Sequence, residues 1–186
     1  MMDPKNMMND IQEILVSEEQ LRSRIAEMGA QLSEEYAGKR PILVGILKGV
    51  VPFYAAMAQA MTIPVQEDFM CVSSYEGTQS TGTLTFRKDL DVDITGRDVL
   101  ILEDILDTGR TLKKIKELLL SRGPKSVKIC TLLDKPEGRK VELDADYVGF
   151  TIPDAFVVGF GLDYDESYRN LPFVGIVKPE VYTNQG

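Results

Sequence analysis

At 186 residues, 44% hydrophobic and 27% charged, the chain holds enough apolar material for one well-buried core and too little for two, which predicts a single domain. A net charge of −8 argues against nucleic acid as the main partner, yet leaves room for a local anion site made of backbone amides, a helix N-terminus or a bound cation. The absence of histidine removes Ser-His, Cys-His and His-metal chemistry, so a metal would be a hard ion on oxygen ligands and a general base would be a carboxylate.

Residues 1–9 show no periodicity and read as a frayed end without the apolar core of a signal peptide. No later run reaches the ~18 apolar residues of a membrane span, so a cytoplasmic protein with no membrane partner is expected. Residues 10–16 suit a short turn or strand. Ser17-Glu18-Glu19-Gln20 has capping-box spacing and opens a helix through Leu21, Ile25, Met28 and Leu32 to about Tyr36. Residues 42–47 form the first buried strand, closed by Lys48-Gly49, and residues 50–61 a helix with Pro52 in its first turn. A strand at 65–73 leads to a polar, small-residue loop at 74–83, expected to be mobile and weighed between plain connection and substrate lid. Strand pieces at 84–94 return from it. Residues 98–102 make the central strand and 109–121 its helix, ended by Gly123-Pro124; residues 126–133 make the next strand. A charged excursion at 137–144 precedes short strands at 147–150, 156–160 and 173–177. Cys71 and Cys130, in apolar runs without metal spacing, read as buried free thiols of a reducing compartment. Alternating strands and helices give an α/β fold with a mostly parallel twisted sheet flanked by helices.

The chemistry concentrates between Val99 and Leu112. An apolar run suited to a strand buried on both faces ends in Glu103 and Asp104, and Asp107, Thr108, Gly109 and Thr111 follow over a helix N-terminus. In such sheets ligands meet the carboxyl ends of strands, and amides and hydroxyls in this loop suit a phosphate monoester. Neither a P-loop nor a dinucleotide fingerprint is present, and the two acids suit ribose hydroxyls or hydrated Mg2+.

Leu102 to Thr111 resembles the segment with which purine phosphoribosyltransferases bind phosphoribosyl pyrophosphate. Leu47-Lys48-Gly49, Ser73-Ser74-Tyr75, Leu132 to Pro136, Val148 to Gly159, Leu162-Asp163-Tyr164 and Tyr168-Arg169 follow the same family's order, in its bacterial hypoxanthine-guanine branch. The resemblance implies a type I phosphoribosyltransferase fold, with a core at about 36–163 and a small hood from the N-terminal segment and about 164–186. It implies Mg2+-dependent transfer of a phosphoribosyl group to hypoxanthine or guanine, giving IMP or GMP, by a homodimer or homotetramer. Glu103 and Asp104 would hold the ribose hydroxyls and metal, with Asp163 a further metal ligand near the purine 2-position. Asp107, Thr108, Gly109, Arg110 and Thr111 would take the 5′-phosphate, and Asp107 would also act as the base toward purine N7. Lys48, Gly49 and Arg169 would handle pyrophosphate, with a non-proline cis peptide after Lys48. Lys135 would donate to the 6-oxo group, Phe156 stack on the base, and Val157 meet it through its backbone. Ser74 and Tyr75 would belong to a closing loop. Taken alone, Lys135 reads as an ordinary loop-end lysine, Phe156 as core and Asp163 as surface. Two departures stand out: Glu76 where relatives have glycine, and Ala155 where they often carry a charge. A related transferase preferring xanthine or another base, and a regulator that keeps the fold and binds nucleotide or RNA, are the competing readings; the acidic balance and the set Asp107, Lys135 and Arg169 oppose the second.

Overall fold

The computed structural model describes residues 4–74 and 84–183. A 3-10 turn at Pro4–Asp10 leads into β1 (Ile11–Val16), α1 (Glu18–Glu35), β2 (Ile42–Ile46), α2 (Val51–Ala60), β3 (Gln66–Ser74), β4 (Leu84–Lys88), β5 (Asp98–Leu106) and α3 (Arg110–Ser121). Then come β6 (Ser126–Asp134), a 3-10 turn at Pro136–Gly138, β7 (Tyr147–Thr151), β8 (Val157–Val158), β9 (Val174–Val177) and α4 (Pro179–Thr183). Tyr75, Glu76 and Gly77, and with them most of the expected closing loop, lie outside the described residues.

Six strands form one sheet in the order β4-β3-β2-β5-β6-β7, all parallel except β4 against β3. Period-two alternation decides which face each side chain takes. Ile42, Val44, Val99, Ile101 and Ile129 pack with Leu112, Ile115 and Leu119 of α3. Leu43, Leu100, Leu102, Cys130 and Leu132 pack on the other face with Leu21, Ile25, Met28 and Leu32 of α1 and Phe53 and Met57 of α2. The expected capping box is formed, Ser17 Oγ accepting from Gln20 N and Gln20 Oε1 from Ser17 N. Cys130 is buried, as expected, and Cys71 only partly so.

A second, antiparallel sheet in the order β1-β9-β8 joins the two ends of the chain over Ile11, Val158, Tyr168, Phe173 and Val177. Three sequence expectations are corrected. Residues 4–10 are ordered as a 3-10 turn because Asp10 accepts from Lys178 N at 2.9 Å and from the Tyr168 hydroxyl at 2.7 Å, contacts no local pattern reveals. β5 runs four residues beyond its apolar stretch, since β6 continues to pair with it as far as Leu106↔Asp134. Of residues 84–94 only Leu84–Lys88 is strand.

The rest of that stretch turns around Asp68 of β3, which is only 4% exposed. Its carboxylate accepts from Phe69 N, Asp91 N and Val92 N at 2.7–3.0 Å and from Lys88 Nζ at 3.2 Å. Burial alone would raise its pKa, but the three amides and Lys88 outweigh it and hold the group below the usual carboxylate range. Its stabilisation is therefore complete above the unfolded value of about 4 and is lost as pH falls through the lower native value. Asp68→Asn should cost about 1–3 kcal/mol at neutral pH and flatten the acid limb of a melting-temperature–pH curve, read by circular dichroism; an unchanged acid limb would contradict this account.

Candidate active site

The chain leaves β2 toward β3 on one side and leaves β5 toward β6 on the other, so the sheet changes direction between two neighbouring strands. A crevice opens outside their carboxyl ends at such a point. β2 pairs with β5 only as far as Gly45↔Leu102, which leaves Glu103 to Leu106 flanked by β6 alone. A cavity of about 210 Å³ lies there, lined by Ile46, Glu103, Ile105, Leu106, Asp107, Thr108, Gly109, Thr111 and Leu112. A larger groove of about 620 Å³ between α1, α2 and residues 160–172 holds Arg169 but none of Glu103, Asp104, Asp107, Thr108 and Thr111, so chemistry and not volume marks the site.

The loop from Asp107 to Thr111 sits where the sequence places it. Gly109 adopts a left-handed conformation (φ 76°), which turns the chain from strand to helix, and Arg110 opens α3. Gly138 passes so close that a Cβ on it would come within 2.1 Å of Asp107 Oδ1.

Glu103 and Asp104 are partly buried residues of β5 itself, where the sequence had put them beyond its end. Burial, reinforced by the charge of Asp104, pushes Glu103 well above the usual carboxylate range. Asp104 is raised by burial and partly relieved by the hydrogen bond from Glu103, by the Ile105 amide at 2.8 Å and by the charge of Arg169.

The Lys48-Gly49 turn closes over this pair: a Cβ on Gly49 would stand 1.8 Å from Asp104 Oδ2. The cis peptide falls at Leu47–Lys48, one bond earlier than the resemblance implies. Leu47 N still donates to Met70 O at 2.8 Å in line with the sheet. Arg169 donates to Gly161 O at 2.8 Å and pairs with Asp163 at 2.9 Å; Glu166 pairs with Lys48 at 2.9 Å and with Arg169 at 3.4 Å. Asp163 thus faces Arg169, and it also accepts from Glu166 N at 2.9 Å. It does not join Glu103 and Asp104 in one ligand cluster: among the described residues no three His, Cys, Asp or Glu side chains are gathered to hold a metal ion.

Lys135, its side chain 11% exposed, is held between Asp154 at 3.0 Å and Asp107 Oδ2 at 3.4 Å. Phe156 leaves 39% of its surface free. Its ring stacks on Tyr182 of α4 (centroids 4.8 Å, planes 28° apart) and meets the edge of Tyr164 at 5.5 Å. Val157 lies buried in β8 opposite Ile176. Sequence reasoning missed Asp154, Glu166 and Tyr182; Asp154 and Glu166 carried a readable signal, a carboxylate within three residues of an assigned one, whereas Tyr182 lies far along the chain from Phe156.

Residues 12–165 match the phosphoribosyl transferase domain, and the chain belongs to that family, whose members transfer pentosyl groups. It is 56% identical over 179 residues to the hypoxanthine-guanine phosphoribosyltransferase of Lactococcus lactis, covering 96% of this chain and 97% of that protein. The Streptococcus pneumoniae enzyme of the same name is 54% identical over 177 residues, covering 95% and 98%. Among solved structures, the hypoxanthine phosphoribosyltransferase of Staphylococcus aureus superposes with a TM-score of 0.92 at 53% identity, over 96% of this chain and 97% of that one. That of Trypanosoma cruzi, solved with its product IMP, gives 0.88 at 41%, over 93% and 97%. No helix among the described residues is long and apolar enough to cross a membrane.

A raised native pKa means that Glu103 opposes folding increasingly as pH climbs above its unfolded value of about 4. Glu103→Gln should therefore raise the thermal midpoint of the ligand-free protein at pH 8, with the gain shrinking toward pH 4. A midpoint lowered at pH 8 would refute the burial argument.

Proposed function

We propose that the chain transfers the 5-phosphoribosyl group of phosphoribosyl pyrophosphate to hypoxanthine or guanine, releasing pyrophosphate and forming IMP or GMP. One observation carries the choice of base: the Lys135 ammonium and the Asp107 carboxylate stand 3.4 Å apart. A donor beside an acceptor is the complement of a 6-oxopurine edge, where O6 adjoins N7–H. Adenine would turn its amino group toward Lys135 and leave two donors facing each other. The IMP complex of the Trypanosoma cruzi relative supports this reading.

In the reaction, purine N9 bonds to ribose C1′ while the bond from C1′ to pyrophosphate oxygen breaks, and Asp107 accepts the proton from N7. Lys135 holds O6, and the free face of Phe156 takes the ring. The loop from Asp107 to Thr111 receives the 5′-phosphate at the start of α3. Lys48, Gly49 and Arg169 receive pyrophosphate, Glu166 giving up the two cations. Glu103 and Asp104 would hold ribose hydroxyls and Mg2+; two carboxylate ligands are what this ion takes from protein when phosphate oxygens and water complete its shell. Bound there, Mg2+ would neutralise charge on the departing pyrophosphate. Asp163 would orient Arg169 and border the base and the metal-bound pyrophosphate. A cytoplasmic homodimer or homotetramer completes the reading.

Steady-state assays with phosphoribosyl pyrophosphate, Mg2+ and a panel of purines should give nucleotide with hypoxanthine and guanine; nucleotide from none of the bases would overturn the proposal. Asp107→Asn should lower turnover by about 10²–10⁴-fold while IMP affinity, read by calorimetry, changes little. Lys135→Ala should raise the KM for hypoxanthine and leave that for phosphoribosyl pyrophosphate nearly unchanged; equal rates of the native protein on adenine and hypoxanthine would remove the role of Lys135.

A further inference from the structure

The charged excursion after Lys135 has no part in the reaction just described, yet it is bonded to the phosphate loop residue by residue. Arg139 Nη1 donates to Leu106 O at 2.8 Å and to Asp107 O. Lys135 N adds a second bond to Leu106 O at 3.0 Å, and Lys140 N donates to Thr108 O at 3.0 Å. Three consecutive carbonyls, Leu106 at the end of β5 and Asp107 and Thr108 in the loop, thus point into the segment from Lys135 to Lys140. The guanidinium is itself fixed by Nε to Leu143 O at 3.0 Å and by Nη2 to the Asp134 carboxylate, and the side chain is largely buried.

In a trans peptide the N–H lies opposite the carbonyl of the same unit. Holding the carbonyls of Leu106, Asp107 and Thr108 on one side turns the amides of Asp107, Thr108 and Gly109 to the other. The cavity above the loop is lined by these three residues and by none of residues 135–140. Successive amides presented to one hollow form an anion nest.

We propose that Arg139 is a positioning residue of the phosphate loop: by anchoring the carbonyls of Leu106 and Asp107 it aims the following amides at the 5′-phosphate and fixes the backbone from which Asp107 reaches the base. A forked, planar cation suits the task, because one group must meet carbonyls, a carboxylate and a more distant main-chain oxygen together; an ammonium has no such fork. The inference rests on the phosphate reading of the loop.

The test compares a purine nucleoside 5′-monophosphate with the nucleoside that lacks the phosphate. In the native protein the monophosphate should bind much more tightly; equal affinity overturns the phosphate reading itself. Arg139→Lys should bring the monophosphate about tenfold or more toward the nucleoside while nucleoside affinity holds, and should raise the KM for phosphoribosyl pyrophosphate far more than that for hypoxanthine. Added guanidinium should restore part of the loss in Arg139→Ala and none in Lys135→Ala. A native phosphate preference that survives in Arg139→Lys overturns the positioning role. Should the variants not fold, ¹⁵N spectra of the native protein decide: titration with the monophosphate should move the amides of Asp107, Thr108 and Gly109 most, and a response that leaves these three unmoved overturns the proposal.

Discussion

Two adjacent carboxylates on the central strand, past the point where one neighbour has ended, set the terms for this site. Extending β5 beyond β2 opens the crevice, but it also takes Glu103 and Asp104 out of full contact with water. The fold answers with an amide from Ile105 and the field of Arg169, a partial settlement that still leaves Glu103 well above the usual carboxylate range. Everything else at the site is arranged around that deficit: Gly49 has no side chain because Asp104 fills the space, and the Lys48–Glu166–Arg169 bridges keep opposite charge within reach. Since the bridges between Lys48 and Glu166 are mostly exposed, giving them up costs little.

The anion side follows another logic. The chain carries eight more negative than positive charges, so no general field gathers phosphates. Attraction has to be local and directional, through oriented amides, a helix start and a few fixed cations. That explains why so much hydrogen bonding behind the loop involves main-chain carbonyls. Their orientation, not added charge, is what the surrounding segment controls.

How far the sequence disclosed this varies with the range of the interactions. Ser17 and Gln20 are three residues apart and read directly as a cap. Val99 to Leu102 announce a buried strand because apolar residues on both faces need no partner to be recognised. The end of β5 was hidden, since Glu103 and Asp104 interrupt the apolar run while hydrogen bonding to β6 carries on. Asp107, Lys135 and Phe156 could be named from a family resemblance, but not the partners that restrain them. Arg139 is 32 residues from Asp107 and acts on its carbonyl, and a main-chain acceptor leaves no mark in a residue pattern. The five-residue α4 is too short to show periodicity, and Tyr182 matters only because folding sets it against a ring 26 positions away.

The small β1-β9-β8 sheet and the Tyr182–Phe156 stack tie β1, made early, to segments made late. Translation proceeds from one end, so the strand that β1 needs leaves the ribosome after every strand of the larger sheet. The parallel strands β2, β3, β5 and β6 and the loop from Asp107 to Thr111 are all made long before it. A nascent chain therefore possesses the acids of β5 and the loop from Asp107 to Thr111 while still lacking the partner of β1 and the ring that stacks on Phe156, and the order of synthesis leaves the surroundings of Phe156 to be completed after the rest of the crevice.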